Sequence, residues 1–170
     1  MNIFSVIKKM NYKLSAFLKI FWWKLEYGSR LVLKKHILLR KRININLSDD
    51  ASVSIGEGTF FNNDCSINAH GKIIIGDDCL FGEGVKIYDH NHIFNTSEKI
   101  NKQSFNVGSV EIGDNCWICS NAVLLKGTKI GNNCVISAGC IINREIPANS
   151  LVRNISSQQV IERIVIKCFL

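Results

Sequence analysis

Between residues 86 and 94 the chain reads Lys-Ile-Tyr-Asp-His-Asn-His-Ile-Phe, which sets His90 and His92 two residues apart beside Asp89. Side chains alternate along an extended strand, so two histidines at this spacing share a face. A neutral imidazole within reach of a hydroxyl can take its proton as that oxygen attacks an electrophile. The resulting imidazolium can then protonate the leaving group. His92 and His90 are therefore the candidate bases, and His70 precedes His90 by 20 residues. The plain alternative for His90 is a polar surface residue. The remaining histidine, His36, lies in a strongly basic segment and is expected to be solvated.

Such a group needs a scaffold, and the scaffold is written as a repeat. Ile55, Phe61 and Ile67, then Ile75, Phe81 and Ile87, then Ile112, Ile118, Leu124, Ile130, Ile136 and Ile142 recur at steps of six within each run. Glycine often follows the large residue, as at Gly56, Gly76, Gly82, Gly113 and Gly131. Four residues after it comes a small or β-branched one: Thr59, Cys65, Cys79, Val85, Cys116, Ala122, Thr128, Cys134 or Cys140. Three six-residue strands close one triangular coil of about 18 residues, within the range of solenoid repeats. The large residue fills the prism and the small one faces inward near a corner. Gly and Asn tolerate the left-handed backbone angles that corners demand. The expected fold is all-β, a left-handed parallel β-helix over residues 46–152, with rungs bonded as parallel ladders. Residues 93–109 break the repeat and are expected to form a loop thrown out of the prism. Long loops on compact scaffolds are usually functional.

The chain has 170 residues and a formal net charge of +7, unevenly placed. Residues 1–45 hold eleven Lys or Arg against the single acid Glu26, or +10, which leaves –3 for the rest. Ile3, Ile7, Met10, Leu14, Phe17, Phe21 and Leu25 recur at steps of three and four, widened by Leu18, which predicts an amphipathic helix in a separate basic helical segment at residues 1–45. Its apolar face would pack on the β-helix, on a neighbouring subunit, or on an anionic membrane surface with Trp22 and Trp23 at the interface. No basic–aromatic platform for nucleic acid follows it. Lysines interrupt the apolar stretches too often for a signal peptide or a membrane span, so a cytoplasmic protein is expected, peripheral on the membrane at most. Five of the seven cysteines (65, 79, 116, 134 and 140) occupy the small inward place and read as core residues in a reducing compartment. Cys116 and Cys119 form a C-x-x-C with no second pair at zinc spacing, and no metal is expected. Residues 153–170 read as a helical tail.

The stretch from Lys86 to Phe94 resembles the catalytic segment of the hexapeptide-repeat acyltransferases, which include maltose, galactoside and capsular-sugar O-acetyltransferases. The segments Ile112-Gly-Asp-Asn-Cys-Trp117-Ile118, Ile130-Gly-Asn-Asn, Ser137-Ala138-Gly139 and Ile146-Pro147-Ala148-Asn149 resemble its acetyl-CoA branch. The resemblance covers about Val53 to Val152. It implies acetyl transfer from acetyl-CoA to a sugar hydroxyl in polysaccharide or lipopolysaccharide synthesis, in a homotrimer with sites between adjacent subunits. A gap-free match puts the family's catalytic histidine on His92 and its transition-state asparagine on Asn62. An acceptor-contacting aspartate falls on His70, and Asp89 and His90 would join it on the acceptor side. Trp117 and Ser120 match positions lining the CoA channel, Ala138 a backbone contact to CoA, and Asn143 and Arg144 a Thr-Lys pair near the CoA phosphates. The family's closing G-x-P-A-x-V-I is degraded here between Arg153 and Ile161, so no contact carries over from that end.

Other chemistry fits parts of the pattern. An amino-sugar N-acetyltransferase needs a similar base. A zinc carbonic-anhydrase-like site on the same fold would use His70, His90 and His92, though at a spacing unlike that family's. A non-catalytic binding protein on the same prism would hold CoA without turnover.

Overall fold

The structure is a computed structural model that describes the backbone of residues 3–94, 99–155 and 158–163 and the side chains of 14–94, 99 and 101–154. A helix at Ile3–Tyr27 and a short 3-10 turn at Gly28–Arg30 lead into a left-handed parallel β-helix of about six turns. The first face stacks Leu31–Leu33, Ser52–Ile55, Lys72–Ile75, Ser109–Ile112, Lys129–Ile130 and Glu145–Ile146. The second stacks Leu38–Leu39, Phe60–Phe61, Leu80–Phe81, Trp117–Ile118, Val135–Ile136 and Ser150–Ile155. The third stacks Asn44–Leu47, Ser66–Ala69, Lys86–Tyr88, Val123–Leu124 and Ile141–Ile142.

Register explains why the six-residue repeat folds this way. Ile55, Ile75, Ile112, Ile130 and Ile146 lie directly above one another, as do Phe61, Phe81, Ile118, Ile136 and Val152, and Ile67, Ile87, Leu124 and Ile142. All are buried. Phe61 and Phe81 stack with ring centroids 4.4 Å apart and planes 9° from parallel. At the corner after the first face, Thr59, Cys79, Cys116 and Cys134 form a column of small buried donors. They donate to the carbonyls of Gly76, Gly113, Gly131 and Pro147 in the next coil, at 3.0 to 3.2 Å. Asp78, Asn115, Asn133 and Asn149 take positive φ at these corners, between 52° and 61°. Among non-glycine residues, Asn and Asp adopt that region most readily.

The β-helix starts earlier than the repeat suggested. Leu31 already opens the first coil, whereas residues 1–45 were expected to be a separate helical segment. Leu33, Leu39 and Ile45 sit over Ile55, Phe61 and Ile67. The corners of that coil hide it, because the left-handed positions carry His36 (φ 58°) and Arg42 (φ 56°) in place of glycine or asparagine. The coil has no rung below it, and the helix covers the gap. Trp23 and Tyr27 are buried there with Ile20 and Ala16 packed alongside. Lys19 donates to the carbonyl of Ile43, and the Tyr27 hydroxyl to that of Ile45 at 3.1 Å, so side chains serve carbonyls at the open end. The side chains of Ile3, Ile7 and Met10 lie outside the described residues.

At the other end, part of the tail expected to be helical is instead a strand, and residues 156–157 and 164–170 lie outside the described ones. Gln158–Arg163 runs antiparallel to Ser150–Ile155, because the last rung leaves an unpaired sheet edge that a returning strand can satisfy. The excursion after the third coil is an arm whose base is a two-stranded antiparallel ribbon, His90–His92 against Phe105–Val107. Residues 95–98 lie outside the described ones.

The fused columns give a direct test. Phe81→Ala removes a fully buried ring stacked on Phe61 and should cost about 3–5 kcal/mol of unfolding free energy, read by denaturant titration. An unchanged midpoint would mean that the aromatic column does not hold the coils.

Candidate functional site

The histidines gather at the corner between the third and first faces, where the arm leaves and returns. The chain turns outward at Asp89 and comes back at Gly108, whose N–H donates to the Asp89 carbonyl at 2.8 Å. Gly71, one coil below, has no room for a side chain: an added Cβ would fall 2.5 Å from the Gly108 carbonyl oxygen and 2.6 Å from a Val107 methyl. Bare backbone at 71 therefore lets the arm sit tight on the prism.

Asp89 fixes this corner. Its carboxylate is fully buried and accepts from the backbone N–H groups of His70 and Gly71, each at 2.8 Å, and lies 3.1 Å from Nδ1 of His90. Sequence reasoning put Asp89 on the acceptor side. Its burial instead makes it a brace behind the site, tying two coils and one imidazole together. The Asp89 carboxylate can only accept, so Nδ1 of His90 carries the hydrogen directed at it.

The rings follow from that brace. His70 and His90 stand on neighbouring coils with centroids 3.9 Å apart and planes tilted by 51°. Phe105 from the arm packs against all three imidazoles, at 4.1 Å from His70, 5.0 Å from His90 and 4.5 Å from His92. His90 and His92 thus share one face, as the extended strand requires. His90 is mostly enclosed and His92 is exposed. Burial pushes the His70 pKa below the ordinary imidazole value and the neighbouring His90 adds to this, while Asp89 opposes it. The shift favours the neutral His70 ring, which can donate one hydrogen bond and accept another. Among the described residues, no group of three or more His, Cys, Asp or Glu side chains is placed to hold a metal ion.

The other candidate positions divide between two corners. Asn62 follows the second face of the second coil, with Ser120 and Ala138 at the same corner of later coils. The Asn62 side-chain oxygen accepts from the N–H of Asn63 at 2.9 Å, which leaves its amide NH2 as a donor. Trp117 stands half-exposed on the second face beside them. Asn143 and Arg144 follow the third face, on the histidine corner. A single chain therefore brings His70, His90 and His92 together but keeps Asn62, Ser120 and Ala138 one corner away.

Two residues of this corner escaped sequence reasoning. Phe105 sits in the arm, outside any repeat; its signal was being the one aromatic residue between 95 and 109. Lys126 stands at the same corner one coil beyond the arm, its stem over Gly108, where an added Cβ would meet it at 2.6 Å. A lysine in a turn carries no spacing signal.

Residues 109–144 match the model of the bacterial transferase hexapeptide (six repeats), and residues 72–87 that of the hexapeptide repeat of succinyl-transferase. The galactoside O-acetyltransferase of Escherichia coli is 27% identical over 118 residues, covering 69% of this chain and 58% of that protein. A putative lipopolysaccharide biosynthesis O-acetyl transferase of the same organism is 28% identical over 120 residues, covering 62% and 61%. The chain spans about half the length of the curated relatives it matches. Among solved structures, a hexapeptide-repeat acetyltransferase of Vibrio cholerae superposes with a TM-score of 0.69 at 23% identity, covering 80% of this chain and 74% of that one. A maltose O-acetyltransferase of Clostridium difficile does so with 0.63 at 26%, covering 78% and 71%. Residues 72–87 and 109–144 thus carry the hexapeptide repeat of the bacterial transferases, and the β-helix is the fold of the solved hexapeptide-repeat acetyltransferases.

Proposed function

We propose that this protein transfers an acetyl group from acetyl-CoA to a hydroxyl of a sugar, in the synthesis of cell-surface polysaccharide or lipopolysaccharide, with His92 as general base. The observation that carries the reading is the exposed His92 ring at the foot of the arm, beside a wall of His70, His90 and Phe105 braced by buried Asp89. The relatives named as galactoside and lipopolysaccharide O-acetyltransferases support the same acceptor class. Solved relatives of this fold carry acetyl-CoA or CoA, which supports the donor.

The chemistry follows from the geometry. The His92 imidazole takes the hydroxyl proton as the sugar oxygen attacks the thioester carbonyl. The tetrahedral oxyanion needs a donor, and the Asn62 amide of a second copy would supply it. Collapse of the intermediate breaks the C–S bond, and the imidazolium returns the proton to the departing thiolate. No acyl-enzyme is needed. The cysteines suit the core better than nucleophilic attack: burial holds the Cys65 thiol up at about 11, so little thiolate forms at neutral pH.

A homotrimer is supported by two features. First, His92 and Asn62 lie on different corners of one prism, so a site using both needs two copies packed corner to corner. Arg144 and Asn143 on one copy, and Ser120, Ala138 and Trp117 on the next, would then flank the same cleft for CoA. Second, the second face presents an outward ladder of Leu38, Phe60, Leu80, Trp117, Val135 and Leu151, directly paired rung to rung. Leu38, Leu80 and Trp117 are exposed in the single chain, and a partner would bury them.

His92→Ala should lower kcat by about 10²- to 10⁴-fold in a thiol-release assay with acetyl-CoA and a panel of sugars, with CoA affinity unchanged. Full turnover would refute the assigned base. Asp89→Ala leaves two backbone N–H groups without their acceptor and should cost about 3 kcal/mol of stability, with a loss of turnover that the conservative Asp89→Asn only partly restores. A variant with wild-type stability and turnover would remove the brace from the account.

A further inference from the structure

The N-terminal helix has two apolar faces, and the prism uses only one. Ala16, Ile20, Trp23 and Tyr27 turn inward onto the first coil. On the opposite side, Leu14, Phe17, Leu18, Phe21, Trp22 and Leu25 are 47% to 66% exposed. At 3.6 residues per turn these six fall within an arc of about 140°, a continuous stripe along the helix. The sequence repeats the spacing back through Met10, Ile7 and Ile3. Lys24 flanks the stripe, and Trp22 lies within it, where an amphipathic ring suits a boundary between water and lipid.

Charge decides what covers the stripe. The helix itself carries Lys8, Lys9, Lys13, Lys19 and Lys24 against the single acid Glu26. A contact between two copies through this helix would bring two strongly cationic segments together. An anionic surface would be drawn to the same residues. Among the described residues, no helix is long and apolar enough to cross a membrane. The helix already leans on the prism, so it is suited to lie in a surface and not to span it.

We infer that the outer face of the N-terminal helix docks on the surface of an anionic lipid bilayer, with the apolar stripe at the headgroup–acyl boundary and Lys24 at its edge on the headgroups. This inference is independent of the acyl-transfer reading and would survive its failure.

The test uses the full-length protein and vesicles of phosphatidylglycerol or of phosphatidylcholine. The protein should sediment with phosphatidylglycerol vesicles at least ten-fold more than with phosphatidylcholine, and salt should release it. The variant Phe17→Ser/Phe21→Ser/Trp22→Ser should lose at least ten-fold of that binding while keeping its mass by light scattering and its unfolding midpoint. If the triple variant does not fold, the single exposed change Trp22→Ser and the charge reversal Lys24→Glu make the same comparison, each expected to weaken binding several-fold. No binding by the unmodified protein, equal binding to both lipids, or retained binding by folded variants would overturn the inference. So would a folded variant whose assembly falls apart, since the stripe would then be a contact between copies.

Discussion

No strand of this prism can stand alone. Most are two to four residues long, and each is hydrogen-bonded almost entirely to the strands directly above and below it. The coils cohere only if every large residue lands on its counterpart one rung away, so that backbone ladder and side-chain column close together. The inward column of isoleucine, leucine and phenylalanine is therefore the interaction on which everything else rests. It also explains the ends. A solenoid exposes a bare rung at each terminus, and here a helix covers one while an antiparallel strand covers the other.

The same constraint dictates where chemistry can be housed. The interior is full, and the flat faces are committed to ladders. Extra chain can leave only at a corner, and it does so at Asp89, returning at Gly108. A buried carboxylate at such a junction serves three donors at once. It joins coil to coil and arm to prism, and it turns one imidazole. Rigid backbone thus supplies the positioning that a base needs, while the arm supplies Phe105 to hold the rings apart from solvent on one side.

Much of this was legible in the sequence because the repeat is periodic in one dimension. Twelve large residues and nine small ones fell into the inward places they were assigned. The 20 residues between His70 and His90 are one coil plus the two extra residues between Ile67 and Ile75, which stacks the two rings on adjacent coils. What failed was local and has physical causes. The first coil was missed because His36 and Arg42 fill left-handed corners where glycine or asparagine usually signals the turn. The tail was read as helical because periodicity says nothing about a sheet edge waiting for a partner. The burial of Asp89 is not legible, because neither the repeat nor the family resemblance shows that two backbone N–H groups and a histidine converge on its carboxylate. Phe105 belongs to the arm, where no repeat predicts a neighbour.

The central claim is that the working site is shared, with the base on one copy and the oxyanion donor on the next. Co-expression of His92→Ala with Asn62→Ala chains measures it most directly. Each variant alone should be nearly inactive. In randomly mixed cyclic trimers about a quarter of the interfaces would join an intact His92 to an intact Asn62, and turnover should recover in that proportion. Mixed assemblies that form, bind CoA and stay as inactive as the parents would contradict the account.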